Sequence, residues 1–140
     1  MQKRTDAIAA VLSLLACGSP LLTGCSSFRG NIAFENALEK QNAGDYSGAI
    51  SDYNKAIKIN PKDADAFNSR GNIKIDLKDY LGAISDFNKA IEVNSNDADA
   101  YYLRGTAKAM SREMKGACSD WKKASSLGNE IASRLVKENC

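Results

Sequence analysis

Ten residues, GAISDYNKAI from Gly48 to Ile57, return almost unchanged as GAISDFNKAI from Gly82 to Ile91. The interval is 34 residues, and a further 34 lands on Gly116, which opens GACSDWKKAS, a worn copy of the same phrase. A second phrase keeps step: ADAFNSRG ends at Gly71 and ADAYYLRG at Gly105. No other feature constrains the fold so tightly. A unit repeated at this period cannot bury its apolar face alone and must stack on its neighbours.

The unit reads as two helices. Ala49, Tyr53, Ala56 and Ile57 recur at i, i+4, i+7 and i+8, one face of a 3.6-residue helix, while Ser51, Asp52, Asn54 and Lys55 fall elsewhere. Alanines let a neighbouring backbone approach, and the ring of Tyr53, Phe87 or Trp121 fills the space beside them. Gly44-Asp45 and Lys78-Asp79 mark tight turns with a capping Asp, and Asn60-Pro61 and Asn94 to Asp97 separate the units. These signals predict helices over 30–43, 46–59, 64–77, 80–93, 98–111, 114–127 and 129–139.

The pattern resembles the tetratricopeptide repeat (TPR). An early aromatic (Phe67, Tyr101) is followed by a glycine (Gly71, Gly105). The second helix then supplies an alanine (Ala49, Ala83, Ala117), an aromatic (Tyr53, Phe87, Trp121) and another alanine (Ala56, Ala90, Ala124), with Pro61 at the end of a unit. The first unit departs from it with Ala33 and Ala37, and Lys40, Lys74 and Lys108 stand where an aromatic is usual late in the first helix. The resemblance implies an all-α, right-handed α-solenoid of three helix hairpins, 30–63, 64–97 and 98–128, with 129–140 as a capping helix.

The front of the chain poses a different problem. Lys3 and Arg4 precede an apolar run from Ala7 to Ala16, too short to span a bilayer, so 1–24 reads as a secretion signal. Leu22-Thr23-Gly24-Cys25 resembles the bacterial lipobox, which implies cleavage before Cys25, lipidation of its sulfur, a short linker over 25–29, and residence on the periplasmic side of an envelope membrane. A plain secretory signal or an uncleaved anchor is the alternative. Cys17 ends a poorer match, because Leu15 stands where a small residue is usual.

Two cysteines then remain. If 114–127 and 129–139 form an antiparallel hairpin, Cys118 near the start of one lies beside Cys140 at the end of the other, close enough for a disulfide in an oxidising compartment. Otherwise Cys118 is a small core hydrophobe in the place of Ile50 and Ile84. In the last segment Ile131, Ala132, Leu135 and Val136 form the inner face expected of a terminal cap.

Catalysis fails on inventory. The chain has no histidine, so Ser-His, Cys-His and His-metal arrangements are excluded, and the two cysteines left after processing have no second pair for zinc. Asp52, Asp86 and Asp120 recur at one place in each unit, which reads as solvent exposure or local capping rather than as an acid/base pair. No phosphate loop is present, no cofactor is implied, and a net charge of +2 with interspersed Lys and Asp gives no basic stripe for nucleic acid.

A binding module is left. The resemblance implies a concave groove lined by the first helices, where Phe34, Leu38, Gln41, Asn68, Asn72, Ile75, Tyr102, Thr106 and Met110 would face a partner protein or extended peptide. Several of these could equally cover the core of a short, flat stack. The clamp by which some family members hold acidic chaperone tails is matched only at Asn72. The expected function is a lipid-anchored adaptor in the bacterial envelope. The alternative is an accessory subunit locked into an envelope assembly of the secretin or pilus type.

Overall fold

A computed structural model describes residues 24–140, with side chains from Phe28 onward. The expected signal, apart from Gly24, lies outside the described residues, as does the Cys25 side chain. Helices α1 (Gly24–Asn42), α2 (Tyr46–Ile59), α3 (Ala64–Asp76), α4 (Tyr80–Val93), α5 (Ala98–Met110), α6 (Met114–Ser126) and α7 (Glu130–Asn139) follow one another. No strand occurs among the described residues. From α2 onward the boundaries fall within one residue of those expected. The first helix starts at Gly24 rather than near 30, so 25–29, expected as a linker, belongs to α1.

The turn inside each of the first two units does two jobs with one residue. The N–H of Asp45 closes on Lys40 O at 2.9 Å and so finishes α1, while its carboxylate accepts from Gly48 N at 2.9 Å and starts α2. Asp79 repeats both contacts, with Lys74 O at 2.8 Å and Gly82 N at 3.0 Å. A Cβ on Gly82 would stand only 2.1 Å from Oδ2 of the capping Asp79 carboxylate, which explains why the repeated phrase opens on glycine. In the third unit Glu113 takes the cap position and makes no side-chain capping bond.

The core is a ladder of small residues and rings. Ala49, Tyr53 and Ala56, then Ala83, Phe87 and Ala90, then Ala117, Trp121 and Ala124 are buried. Phe87 lies on Gly71, where a Cβ would be 2.9 Å from its ring, and Trp121 lies on Gly105 in the same way. Phe67 packs with Ala90 and Ala100 and against Ile57 of the preceding unit. Ala33 stands in the equivalent place on α1, which has no described repeat before it to receive a ring. Contacts run chiefly between successive helices, with α3 also reaching α5, so each unit leans on its neighbours.

The last helix closes the stack. Ala132 is fully buried, and Leu135 and Val136 pack beside it against Ala117, Trp121 and Ala124. Ile131 does not join them. It is 46% exposed, because α7 turns only a narrow stripe toward α6 and Ile131 falls beyond its edge. Cys118 and Cys140 form a disulfide with their Cα atoms 5.7 Å apart, which resolves the two readings of Cys118.

Candidate functional site

The polar residues of the first helices divide into two sets that face opposite ways. One set faces the second helices. Asp86 and Asp120, expected at the surface or in caps, are instead 3% and 4% exposed. Arg70 donates through Nε and Nη2 to Asp86 at 2.9 and 2.6 Å, and Lys74 adds a third contact at 2.9 Å. Arg104 and Lys108 do the same for Asp120. Asp52, 5% exposed, is held by Lys40 and Lys55. Lys40, Lys74 and Lys108 therefore replace the usual aromatic because a buried carboxylate needs a cation there.

The same arginines couple neighbouring units. Arg70 Nη1 donates to Asn54 Oδ1 on α2, and Arg104 Nη1 to Asn88 Oδ1 on α4 at 2.8 Å. Each guanidinium also stacks on the aromatic one turn before it, Arg70 over Phe67 and Arg104 over Tyr101. In the first unit both members of that pair are absent together, replaced by Ala33 and Asn36. Lys40 and Lys55 draw the Asp52 carboxyl below the usual carboxylate range, chiefly through hydrogen bonds, and Asp120 raises the Arg104 guanidinium above its ordinary value.

The second set lines a groove between the first helices. A cavity of about 320 Å³ is walled by Leu38 and Gln41 of α1, by Asp65, Asn68, Ser69 and Asn72 of α3, and by Asp97, Asp99 and Leu103 at the start of α5. All three units contribute. Gln41 is held in place by Tyr53, whose hydroxyl donates to Gln41 Oε1 at 2.8 Å, leaving the amide N–H₂ to donate. Asn68 Nδ2 donates to Asp97 Oδ2 at 2.7 Å. Asp97 Oδ1 caps α5, and Asp99 Oδ1 accepts from Asn129 of the loop before α7 at 2.9 Å.

Of the nine expected groove residues, Leu38, Gln41, Asn68 and Asn72 meet in this cavity. Phe34 stands against Tyr53, edge to face, and lines an adjoining hollow with Asn31, Glu35, Asp63 and Asp65. Ile75 packs on Ala83, Phe87 and Ala107, and Tyr102 packs on the Trp121 cluster. Thr106 donates its hydroxyl to Tyr102 O, and Met110 is exposed at the end of α5. Sequence reasoning missed Asp65, Ser69, Asp97, Asp99 and Leu103. The signal was available in the repeated ADA phrase, which sets Asp65 and Asp99 one residue inside successive first helices.

Among the described residues no group of His, Cys, Asp and Glu could hold a metal ion, and no helix is long and apolar enough to cross a membrane. A TPR repeat model matches residues 42–75 and 71–110. The repeats are tetratricopeptide repeats. The TPR2B domain of yeast Sti1 in complex with pHsp70 aligns at 26% identity and a TM-score of 0.73, covering 79% of this chain and 92% of its own. The Arabidopsis OM64 TPR domain aligns at 25% identity and 0.73, covering 78% and 92%. The first TPR of Spaghetti (RPAP3), bound to the HSP90 peptide SRMEEVD, shares the fold at 24% identity and 0.76, covering 80% and 90%. No curated protein sequence matches the chain. The TPR solenoid is a protein-interaction scaffold.

Proposed function

We propose that the chain is a non-catalytic adaptor that holds an extended segment of a partner protein in the groove between α1, α3 and α5. The observation that carries the reading is the cavity itself, into which all three TPR units place polar and apolar side chains side by side. Carboxamides at Gln41, Asn68 and Asn72 suit the N–H and C=O groups of an extended backbone, and Leu38 and Leu103 suit an apolar side chain. The yeast Sti1 domain, a TPR unit in complex with pHsp70, supports this use of the fold. Peptides selected from a random library on the protein should shift the amide resonances of Gln41, Asn68, Asn72 and Leu103. Shifts confined to the outer face of α2, α4 and α6 would overturn the reading.

The finer part of the proposal is the address. Leu22-Thr23-Gly24-Cys25 supports lipidation at Cys25 and residence on the periplasmic side of a bacterial membrane, with the array following directly because α1 already runs from Gly24. Intact mass of the membrane-bound form should give a chain beginning at Cys25 with a diacylglycerol. An unmodified chain that begins elsewhere removes the anchor.

A further inference from the structure

We propose that the partner segment is cationic, recognised through Lys or Arg side chains. The inference rests on the groove reading and adds the chemistry of the ligand. The groove cavity presents Asp65, Asp97 and Asp99, and the adjoining hollow, which shares Asp65, adds Glu35 and Asp63. No Lys or Arg lines either space, although the whole chain carries a net charge of +2. The cause lies on the other side of the same helices. Lys40, Lys74 and Lys108 late in the three first helices, and Arg70 and Arg104 at the middle of two of them, are all drawn to Asp52, Asp86 and Asp120. The inner face is thus left negative.

Hydrogen-bond valence points the same way. Asn68 Oδ1 is buried without a hydrogen-bond partner, while its Nδ2 is committed to Asp97. Asp65 receives no side-chain hydrogen bond among the described residues, and Asp99 has only one oxygen engaged. The groove therefore offers more free acceptors than donors, and its free acceptors include the charged oxygens of Asp65 and Asp99, which suit Lys and Arg, side chains that only donate. An acidic tail meets like charge there and finds no cation to pair with.

The test uses three blocked probes on the whole protein: a peptide repeating Lys-Ser-Leu-Ser, its counterpart with Gln for Lys, and SRMEEVD. Titration followed by amide shifts should show the Lys peptide moving groove resonances and binding about tenfold tighter than the Gln peptide, with the advantage shrinking at high salt. SRMEEVD should move none. The double variant Asp65→Asn, Asp99→Asn keeps shape and leaves the Asp97 cap intact. It should erase the Lys advantage without weakening the Gln peptide. If the Gln peptide or SRMEEVD moves groove resonances as strongly as the Lys peptide, the charge inference falls and the groove stands. If no probe moves them while selected peptides shift other faces, both fall.

Discussion

The guanidinium of Arg70 and the carboxylate of Asp86 meet through two parallel hydrogen bonds, at 2.9 and 2.6 Å, in a place where Asp86 is 3% exposed. The third arm of Arg70 reaches back to Asn54 on the preceding unit. One side chain thus neutralises the interior of its own unit and fixes its stacking on the preceding one. That double duty suits Arg, whose planar fork supplies donors in several directions at once, better than it suits Lys.

Arg70→Ala should therefore cost about 3 kcal/mol, the low end for breaking a buried pair, because Lys74 still contacts Asp86. Arg70→Lys should recover only part of this. Urea unfolding of both variants checks the estimate, and a double-mutant cycle with Asn54→Ala isolates the coupling between units. A coupling energy near zero would mean that apolar packing alone sets the stack.

Gly105→Ala should destabilise the third unit by about 1–3 kcal/mol, although alanine is the better helix former by about 1 kcal/mol. The added Cβ would stand 2.7 Å from the Trp121 ring and 3.1 Å from Ala117 O. Trp121 is 4% exposed and has no room to swing aside. Thermal melts and near-ultraviolet dichroism of the single tryptophan give the readout. An unchanged signal with a raised melting temperature would show that the ring is looser than its burial implies.

How much of this was legible beforehand depended on whether the information was local. Most helix ends from Tyr46 onward were readable because the turn carries its own cap, Asp45, Asp63, Asp79 or Asp97, a few positions from the N–H it satisfies, while the uncapped turn at Glu113 was placed by the repeat period. The burial of Asp52, Asp86 and Asp120 was not. It depends on cations arriving from another helix, and a recurring Asp looks the same in sequence whether it faces water or a guanidinium. The groove was half legible for a similar reason. The resemblance to the repeat family placed Gln41, Asn68 and Asn72 on the inner side, where the cavity lies, but Ile75 and Tyr102 rotate into neighbouring clusters once the units stack. Residues 25–29 were misjudged because the repeat pattern says nothing about helix added in front of it.

Acid should weaken the first unit in a way that tracks one carboxyl. Hydrogen bonds from Lys40 and then Lys55 lower the Asp52 carboxyl below its ordinary value. A carboxyl so depressed contributes stability that is fully present above its unfolded value of about 3.9 and is lost as pH falls through the lower folded value. The urea midpoint of the parent should hold steady down to about pH 5 and drop below about pH 4. Asp52→Asn should start lower near neutrality and converge on the parent in acid. Parallel curves throughout would assign the acid loss to other groups.

Reduction of Cys118–Cys140 should release the end of the stack before the rest. The bond closes a loop with a sequence separation of 22 residues, for which the chain-entropy estimate is roughly 3 kcal/mol. That constraint acts where the array is weakest, because α7 packs chiefly on α6 and fully buries only Ala132. What remains without it is modest: Leu135 and Val136 on the Trp121 cluster, the Ser125–Ser133 hydroxyl pair at 2.7 Å, and Asn129 donating to Asp99. Amide exchange in the reduced protein should therefore quicken from Ala132 to Val136 while α3 and α4 keep their protection. Exchange that rises uniformly along the chain would instead mean that the three units and their cap unfold as one cooperative body. Because Asn129 also anchors Asp99, a loosened cap should reach the groove as well, and a cationic probe bound there should hold less tightly after reduction.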